Sequence, residues 1–240
     1  MKNKIEVDIH THTLLSGHAY GTVRENALAA KEIGLKGLGI SEHAPGIPGT
    51  CDAMVFRNMP HSVPRDLYGV NIYFGVENNL LNDGTMTLTP KQMERLDYGI
   101  VGIHGFCYED EGIEKNTDNL IKAISDPKTF FISHPDDGTW PLDYERLVKA
   151  ARKLGVALEL NNSHIVNPWR KNSIENMHTY LKLCMEHKTN IFVGSDAHDP
   201  SRVGRFEEAL AMLEEMGFDE DLIVNNSEEK FREFIRYNKK

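Results

Sequence analysis

The residues best equipped for chemistry recur in short clusters. The chain opens on Asp8-x-His10-x-His12, and Ser41-Glu42-His43, Glu77, His104, Ser133-His134 and Ser195-Asp196-Ala197-His198 follow at wide intervals. Histidines and carboxylates two residues apart point the same way from an extended backbone, a geometry that suits a shared metal ion better than a packed core. Histidines merely satisfied by backbone carbonyls would scatter over helices and loops. Instead His10, His12, His43, His104, His134, His164 and His198, seven of the eleven, fall at or just beyond apolar, strand-like runs. Imidazole nitrogens combined with the carboxylates of Glu77 and Asp196 suit zinc, manganese or ferrous iron rather than calcium or magnesium, with zinc the first choice. The lack of cysteine at these positions points to open, catalytic sites over closed, structural ones.

The elements that must position these groups alternate between strand and helix. Residues 5–12 alternate apolar with polar, so they read as a strand with Asp8, His10 and His12 on one face. Thr22-Val23-Arg24-Glu25 has the form of a capping box, opening a helix that Gly34 ends. Further strands are predicted over 36–40, 70–76, 98–103, 129–132, 156–160 and 190–194, and helices over 119–124, 143–154, 173–187, 202–215 and 227–235. Asn82-Asp83-Gly84 reads as a hairpin turn. Residues 44–69 carry four of the ten prolines, which predicts a long functional loop with at most a short helical piece.

Seven strands interleaved with helices predict a parallel α/β sheet. A doubly wound sheet would gather its ligands at one switch point, whereas almost every strand here delivers a candidate ligand at its C-terminal end. The expected fold is therefore a β/α barrel of seven strands. The 240 residues, 40% of them hydrophobic, can fill one large core, so a single domain over 1–240 is expected. No apolar run approaches the length of a membrane span and the N-terminus lacks a signal-peptide core, which predicts a cytoplasmic protein without membrane partners. Cys51, Cys107 and Cys184 are odd in number and widely spaced, reading as reduced thiols. Thirty-six acidic against twenty-seven basic residues give a charge of −9, the wrong sign for gripping a long nucleic acid. A small anionic substrate drawn to metal ions is compatible with it.

Taken in order, Asp8-x-His10-x-His12, Ser41-Glu42-His43, Glu77, His104, Ser133-His134-Pro135 and Gly194-Ser195-Asp196-Ala197-His198 resemble the PHP (polymerase and histidinol phosphatase) superfamily, and within it the short YcdX-type phosphatases. The resemblance runs from about residue 5 to about residue 225. It implies a distorted seven-stranded (β/α)7 barrel holding three divalent metals. One would be bound by His10, His12, Glu77 and Asp196, a second by Glu77, His104 and His134, and a third by His18, His43 and His198. Each of these positions holds a side chain of the expected type. A homotrimer is a further implication.

Metals bridged by Glu77 would clamp a phosphate and lower the pKa of a bound water, so the expected reaction is hydrolysis of a small phosphomonoester by metal-bound hydroxide, with no covalent side-chain nucleophile. Ser16, Ser41, Ser133 and Ser195 adjoin the ligands and are expected to hydrogen-bond around them. Asp8 is expected to orient a neighbour. Arg170 and Lys171 sit in the loop 167–173, where a phosphate could be gripped, and His164 is a second candidate contact. Arg65, Arg202 and Arg205 are lesser candidates, His178 and His187 read as surface residues on their helix, and His61 as structural or surface. The acidic segment from Gly105 to Glu111 would, at the mouth, disfavour polyanions and leave room for a substrate with a cationic part such as histidinol phosphate. Competing classes are a nuclease or nucleotide-end phosphatase, and an amidohydrolase, which would want a bridging lysine where Glu77 stands.

Overall fold

The computed structural model describes residues 4–167 and 170–237; Pro168 and Trp169 of the loop 167–173 lie outside the described residues. The elements are β1 (Val7–Asp8), α1 (Val23–Glu32), β2 (Gly37–Ile40), α2 (Met54–Ser62), β3 (Asp66–Leu67), β4 (Val70–Phe74), β5 (Glu77–Asn79), β6 (Gly99–Gly102) and α3 (Ile113–Ala123). They continue as β7 (Thr129–Ile132), α4 (Tyr144–Leu154), β8 (Ala157–Asn161), α5 (Asn162–Val166), α6 (Ser173–His187), β9 (Ile191–Gly194), α7 (Glu207–Glu215) and α8 (Glu228–Tyr237). The fold is mixed α/β with parallel sheets, one ordered β1-β2-β4-β3 and the other β5-β6-β7-β8-β9. Among the described strands only β3 pairs antiparallel, with β4.

The strands form two open sheets, where the sequence predicts one closed barrel of seven. Single bridges join them, His43 to Glu77 and Thr11 to Ala197. Two local features open the seams. The run predicted as one strand over 70–76 breaks at Gly75, where the Tyr98 ring lies 2.4 Å from the place a Cβ would occupy, so β5 starts afresh at Glu77. Between β1 and β9 the segment around Asn225 intrudes. Its side-chain amide donates to the carbonyls of Val7 and Val193 at 2.8 Å each and accepts from Val193 N at 3.0 Å. That amide supplies the hydrogen bonds a neighbouring strand would have made.

Other boundaries move for local reasons. The predicted loop 44–69 contains α2, with Pro60 inside it, and β3. Residues 162–166 are helical because the Asn161 side chain caps His164 N at 3.1 Å. Arg202 sits in a 3-10 turn, and α7 begins only at Glu207. The capping box of Thr22 and Glu25 forms as predicted, and the 82–84 turn closes with Leu81 N donating to Thr85 O at 2.9 Å. Among the described residues, no helix is long and apolar enough to cross a membrane.

Hydrophobic packing comes in two layers. Val101, Ile132, Leu158 and Val193 face outward against Leu147, Val148 and Leu181 of α4 and α6. Their strand neighbours Ile100, Phe131, Ala157 and Phe192 face inward with Val7, Ile9 and Tyr98, and Phe231 and Phe234 of α8 complete that cluster. Period two then puts Gly102, Ser133, Glu159 and Gly194 on the inner side one layer further along. The polar groups meet there, so residues 5–12 are buried on both faces except Glu6 rather than presenting one polar face.

Candidate metal centre

His10, His12, Glu77 and Asp196 converge from β1, the start of β5 and the end of β9. His10 Nε2 lies 3.4 Å from Glu77 Oε2 and 3.5 Å from Asp196 Oδ1, and His12 Nε2 lies 3.6 and 3.3 Å from the same two oxygens. Four ligands at about 2.0–2.1 Å from a tetrahedral ion stand about 3.3–3.4 Å apart, so these spacings frame a zinc-sized ion. Although buried, His10 Nε2, His12 Nε2, His43 Nδ1, His104 Nε2 and Glu77 Oε2 have no hydrogen-bond partner. Five orphaned atoms aimed at one another would cost several kcal/mol in a folded core, a cost that bound cations would remove.

Glu77 stands at the centre with both oxygens engaged. Oε1 faces His104 Nε2 at 3.3 Å and His134 Nε2 at 2.8 Å, while Oε2 faces His43 Nδ1 at 2.8 Å as well as His10 and His12. That is the geometry of a bridging carboxylate. His18, His43 and His198 form the third group, with ring centroids 4.9 Å apart for His18–His43 and His18–His198 and 5.8 Å for His43–His198. The grouping is less discrete than three separate sets. Ligand atoms of His12, His43 and His198, and those of His43, Glu77 and His104, also lie within 4.8 Å of one another.

Hydrogen bonds on the far side of each ring fix which nitrogen is free. His10 Nδ1 meets Glu159 Oε1 at 2.7 Å and His104 Nδ1 meets Asn79 Oδ1 at 2.8 Å, so both rings carry their proton on Nδ1. His12 Nδ1 meets Ser16 Oγ at 3.1 Å. Ser16 gives its single proton to Glu42 Oε2 at 2.6 Å, so His12 Nδ1 must be the donor. In all three rings Nε2 is the nitrogen turned toward Glu77. Ser133 Oγ donates to Glu77 Oε1 at 2.6 Å, and Ser41 and Ser195 bond the backbone of Thr11 and His10. Asp8 accepts from the backbone of His10, Ser195 and Gly204, and burial pushes its carboxyl up to about 6.

Charge and strain follow the same arrangement. Burial alone would raise the carboxyls of Glu77 and Asp196, but the histidines around them, His10 foremost, hold both well below the usual range. Burial, with His43 and His198 nearby, pulls His12 well down, and burial takes His104 to about 4. His10 is the exception: Glu159, Asp196 and Glu77 outweigh its burial and raise it. Two of the candidate ligands also occupy left-handed backbone, His134 at φ 30° and Asp196 at φ 51°, conformations held only where surroundings enforce them.

A cavity of about 380 Å³ opens over the histidines, lined also by Ile47, Pro48, Ile103, Gly105, Phe106, Trp140 and Arg170. Arg170 Nη1 donates to Asp137 Oδ2 at 2.5 Å. Lys171 is exposed and outside the lining; its carbonyl accepts from Gly138 N at 2.8 Å. His164 is buried, its Nδ1 2.7 Å from Asp136 Oδ2 and its ring 5.3 Å from that of His134, so it stands behind the cavity wall. Arg65 lies elsewhere, paired with Asp97 and stacked on Phe74. Arg202 and Arg205 line a neighbouring cavity of about 360 Å³ that shares Asp196 and His198.

Of the loop 105–111, the acidic residues are not part of the cavity lining. Asp110 accepts from Asn116 and Glu111 from Asn119, both on α3, and Gly105 and Phe106 are what that loop contributes to the lining. His61 is exposed beside Arg95, and His178 and His187 are half-buried on α6. All three cysteines are free. Glu159, Glu42 and Asn79 carry supporting roles that spacing alone does not reveal. Glu159 does leave a signal, since a carboxylate inside the apolar run 156–160 must be buried and therefore paired.

The chain matches no protein-family model. It is 38% identical over 231 residues to a protein of Clostridium botulinum (strain Okra / Type B1) named "Probable phosphatase", covering 96% of this chain and 94% of that one. A protein of the same name from Thermoanaerobacter sp. (strain X514) is 38% identical over 239 residues, covering 99% and 97%. Among solved structures, the histidinol phosphate phosphatase of Lactococcus lactis subsp. lactis Il1403, complexed with zinc, L-histidinol and phosphate, superposes with a TM-score of 0.58 at 14% identity, covering 89% of this chain and 94% of that one. A chain of archaeal ribonuclease P bound to mature tRNA superposes with a TM-score of 0.62 at 14% identity, covering 97% and 90%. At such identities the two structures share the fold with this chain. Near-complete alignment at 38% identity places the chain in the family of these bacterial proteins named "Probable phosphatase".

Proposed function

We propose that this chain is a metal-dependent phosphatase of the PHP superfamily, YcdX-type, hydrolysing a small phosphomonoester at three divalent cations in one domain. The observation that carries the reading is the set of buried, unpartnered ligand atoms around Glu77. The family name of the relatives and the zinc and phosphate held by the Lactococcus lactis structure agree with it. The single bridges at the two seams, His43 to Glu77 and Thr11 to Ala197, support the distorted seven-stranded barrel.

Bound cations supply positive charge to phosphoryl oxygens and acidify a water. The chain's own residues do the rest. Glu77 and Asp196 provide the negative charge that gathers cations in a buried cup. Glu159, Ser16 and Asn79 keep the imidazole lone pairs aimed inward. Arg170, on the cavity wall, offers guanidinium donors to the phosphate. Among the described residues no lysine lines the cavity, and Glu77 holds the central place an amidohydrolase would give to one.

The test is turnover by zinc- or manganese-loaded protein. Release of phosphate from phosphomonoesters without shortening of an oligonucleotide supports the reading. Oligonucleotide cleavage with no phosphomonoester turnover would overturn it.

A further inference from the structure

The lining of the main cavity is of two kinds. It combines the histidines His18, His43, His104, His134 and His198 with the apolar side chains of Ile47, Pro48, Phe106 and Trp140. A cavity that offers both kinds of surface matches a molecule with an anionic head and an apolar body. Its volume of about 380 Å³ falls within the range of small-ligand sites, which runs from about 300 to 1,000 Å³.

The rim aromatics are tied to ligand residues. Phe106 lies in the turn that begins at His104, whose carbonyl accepts from Cys107 N and Tyr108 N at 2.9 Å each. Phe106 is 72% exposed, so the fold gains little from burying it. Trp140 is set by the loop that follows His134, its N donating to Asp137 O at 3.2 Å. Its ring packs against Gly105, 3.4 Å from where a Cβ would stand. The two residues therefore line the cavity at fixed offsets from His104 and His134. Aromatic walls favour planar, apolar groups through stacking and burial. In the loop after His104, Asp110 and Glu111 accept from Asn116 and Asn119 of α3.

Resting on the phosphatase reading above, we infer that the substrate is a phosphomonoester with an aryl or heteroaryl body, and that Phe106 and Trp140 determine this preference. Phosphonates test it without turnover, because the carbon–phosphorus bond is not hydrolysed. Calorimetric titration of the zinc-loaded protein with benzylphosphonate and with methylphosphonate gives the ratio of affinities. The expected ratio favours benzylphosphonate by about tenfold, or 1.4 kcal/mol. It should fall toward one in Phe106→Ala and in Trp140→Ala.

A ratio near one in the wild-type protein, or one unchanged in Phe106→Ala, would overturn the inference. Phe106 is exposed enough that its variant should fold even where Trp140→Ala does not. Turnover is read separately, with benzyl phosphate and glycerol phosphate, whose leaving alcohols need similar activation. A selective titration without turnover of either ester overturns the phosphatase reading and the inference that rests on it; turnover of both esters at equal kcat/KM overturns the aryl preference alone.

Discussion

Glu159 Oε1 lies 2.7 Å from His10 Nδ1 while Glu159 Oε2 accepts the backbone N–H of His134 at 2.7 Å. One buried carboxylate thus fixes the ring of one candidate ligand and the backbone of another. Such partners commonly control metal affinity by about 10–100-fold. Glu159→Gln keeps the volume and removes the charge. Zinc affinity measured by competition with a chelator should fall within that range; an unchanged affinity would mean that His10 is oriented by packing alone.

Gly194 makes room for that carboxylate. A Cβ at this position would stand 1.9 Å from Glu159 Oε1 and 3.3 Å from the His10 Cβ. Gly194→Ala must displace Glu159, with an overpacking cost of about 1–3 kcal/mol. Urea denaturation should show that loss, and elemental analysis should show reduced metal content in the refolded variant.

Arg170 and Asp137 form a pair at the cavity wall, 2.5 Å apart. Burial would raise the Asp137 carboxyl, but the bond from Arg170 outweighs it and holds the group below its usual value. A depressed folded pKa stabilises the protein above the unfolded value of about 3.9. That stability is lost as the pH falls from there through the folded value. The stability gap between wild type and Asp137→Asn should therefore be full at pH 7 and close below about pH 4. For the substrate, Arg170→Ala should raise KM for phosphomonoesters by about tenfold or more, the worth of a hydrogen bond to a charged group; an unchanged KM would remove Arg170 from the site.

Much of the candidate site is legible because its chemistry is written at strand ends. His10, Glu77, His104, His134 and Asp196 each close an apolar run, and a strand end in an α/β sheet faces the ligand side. The partners behind them are harder to read. Glu159 sits mid-strand, Asn79 lies two residues past Glu77, and Glu42 is masked by its neighbour His43. Which ring each one meets is decided by pairing between distant strands. The same holds for the fold. Thr22 and Glu25 announce α1 locally, whereas the seam at Asn225 depends on a segment far from both strands that it joins. Pro60 argued for a loop, yet tertiary packing of Phe56 and Met59 sustains α2 around it.

Metal binding should stabilise the fold measurably. At a free zinc concentration 100 times the Kd, linkage adds about 2.7 kcal/mol per site. For a chain of this size that raises Tm by at least about 5 °C. Thermal scans after treatment with a chelator and again after readdition of zinc should show the drop and the recovery.

The most direct measurement is the metal content of the purified protein by elemental analysis, with Glu77→Ala beside the wild type. With Glu77 touching His10, His12, His43, His104 and His134, the wild type should carry about three divalent ions per chain and the variant no more than about one, in keeping with loss of a bridging ligand. A variant that keeps the wild-type metal content would contradict the account.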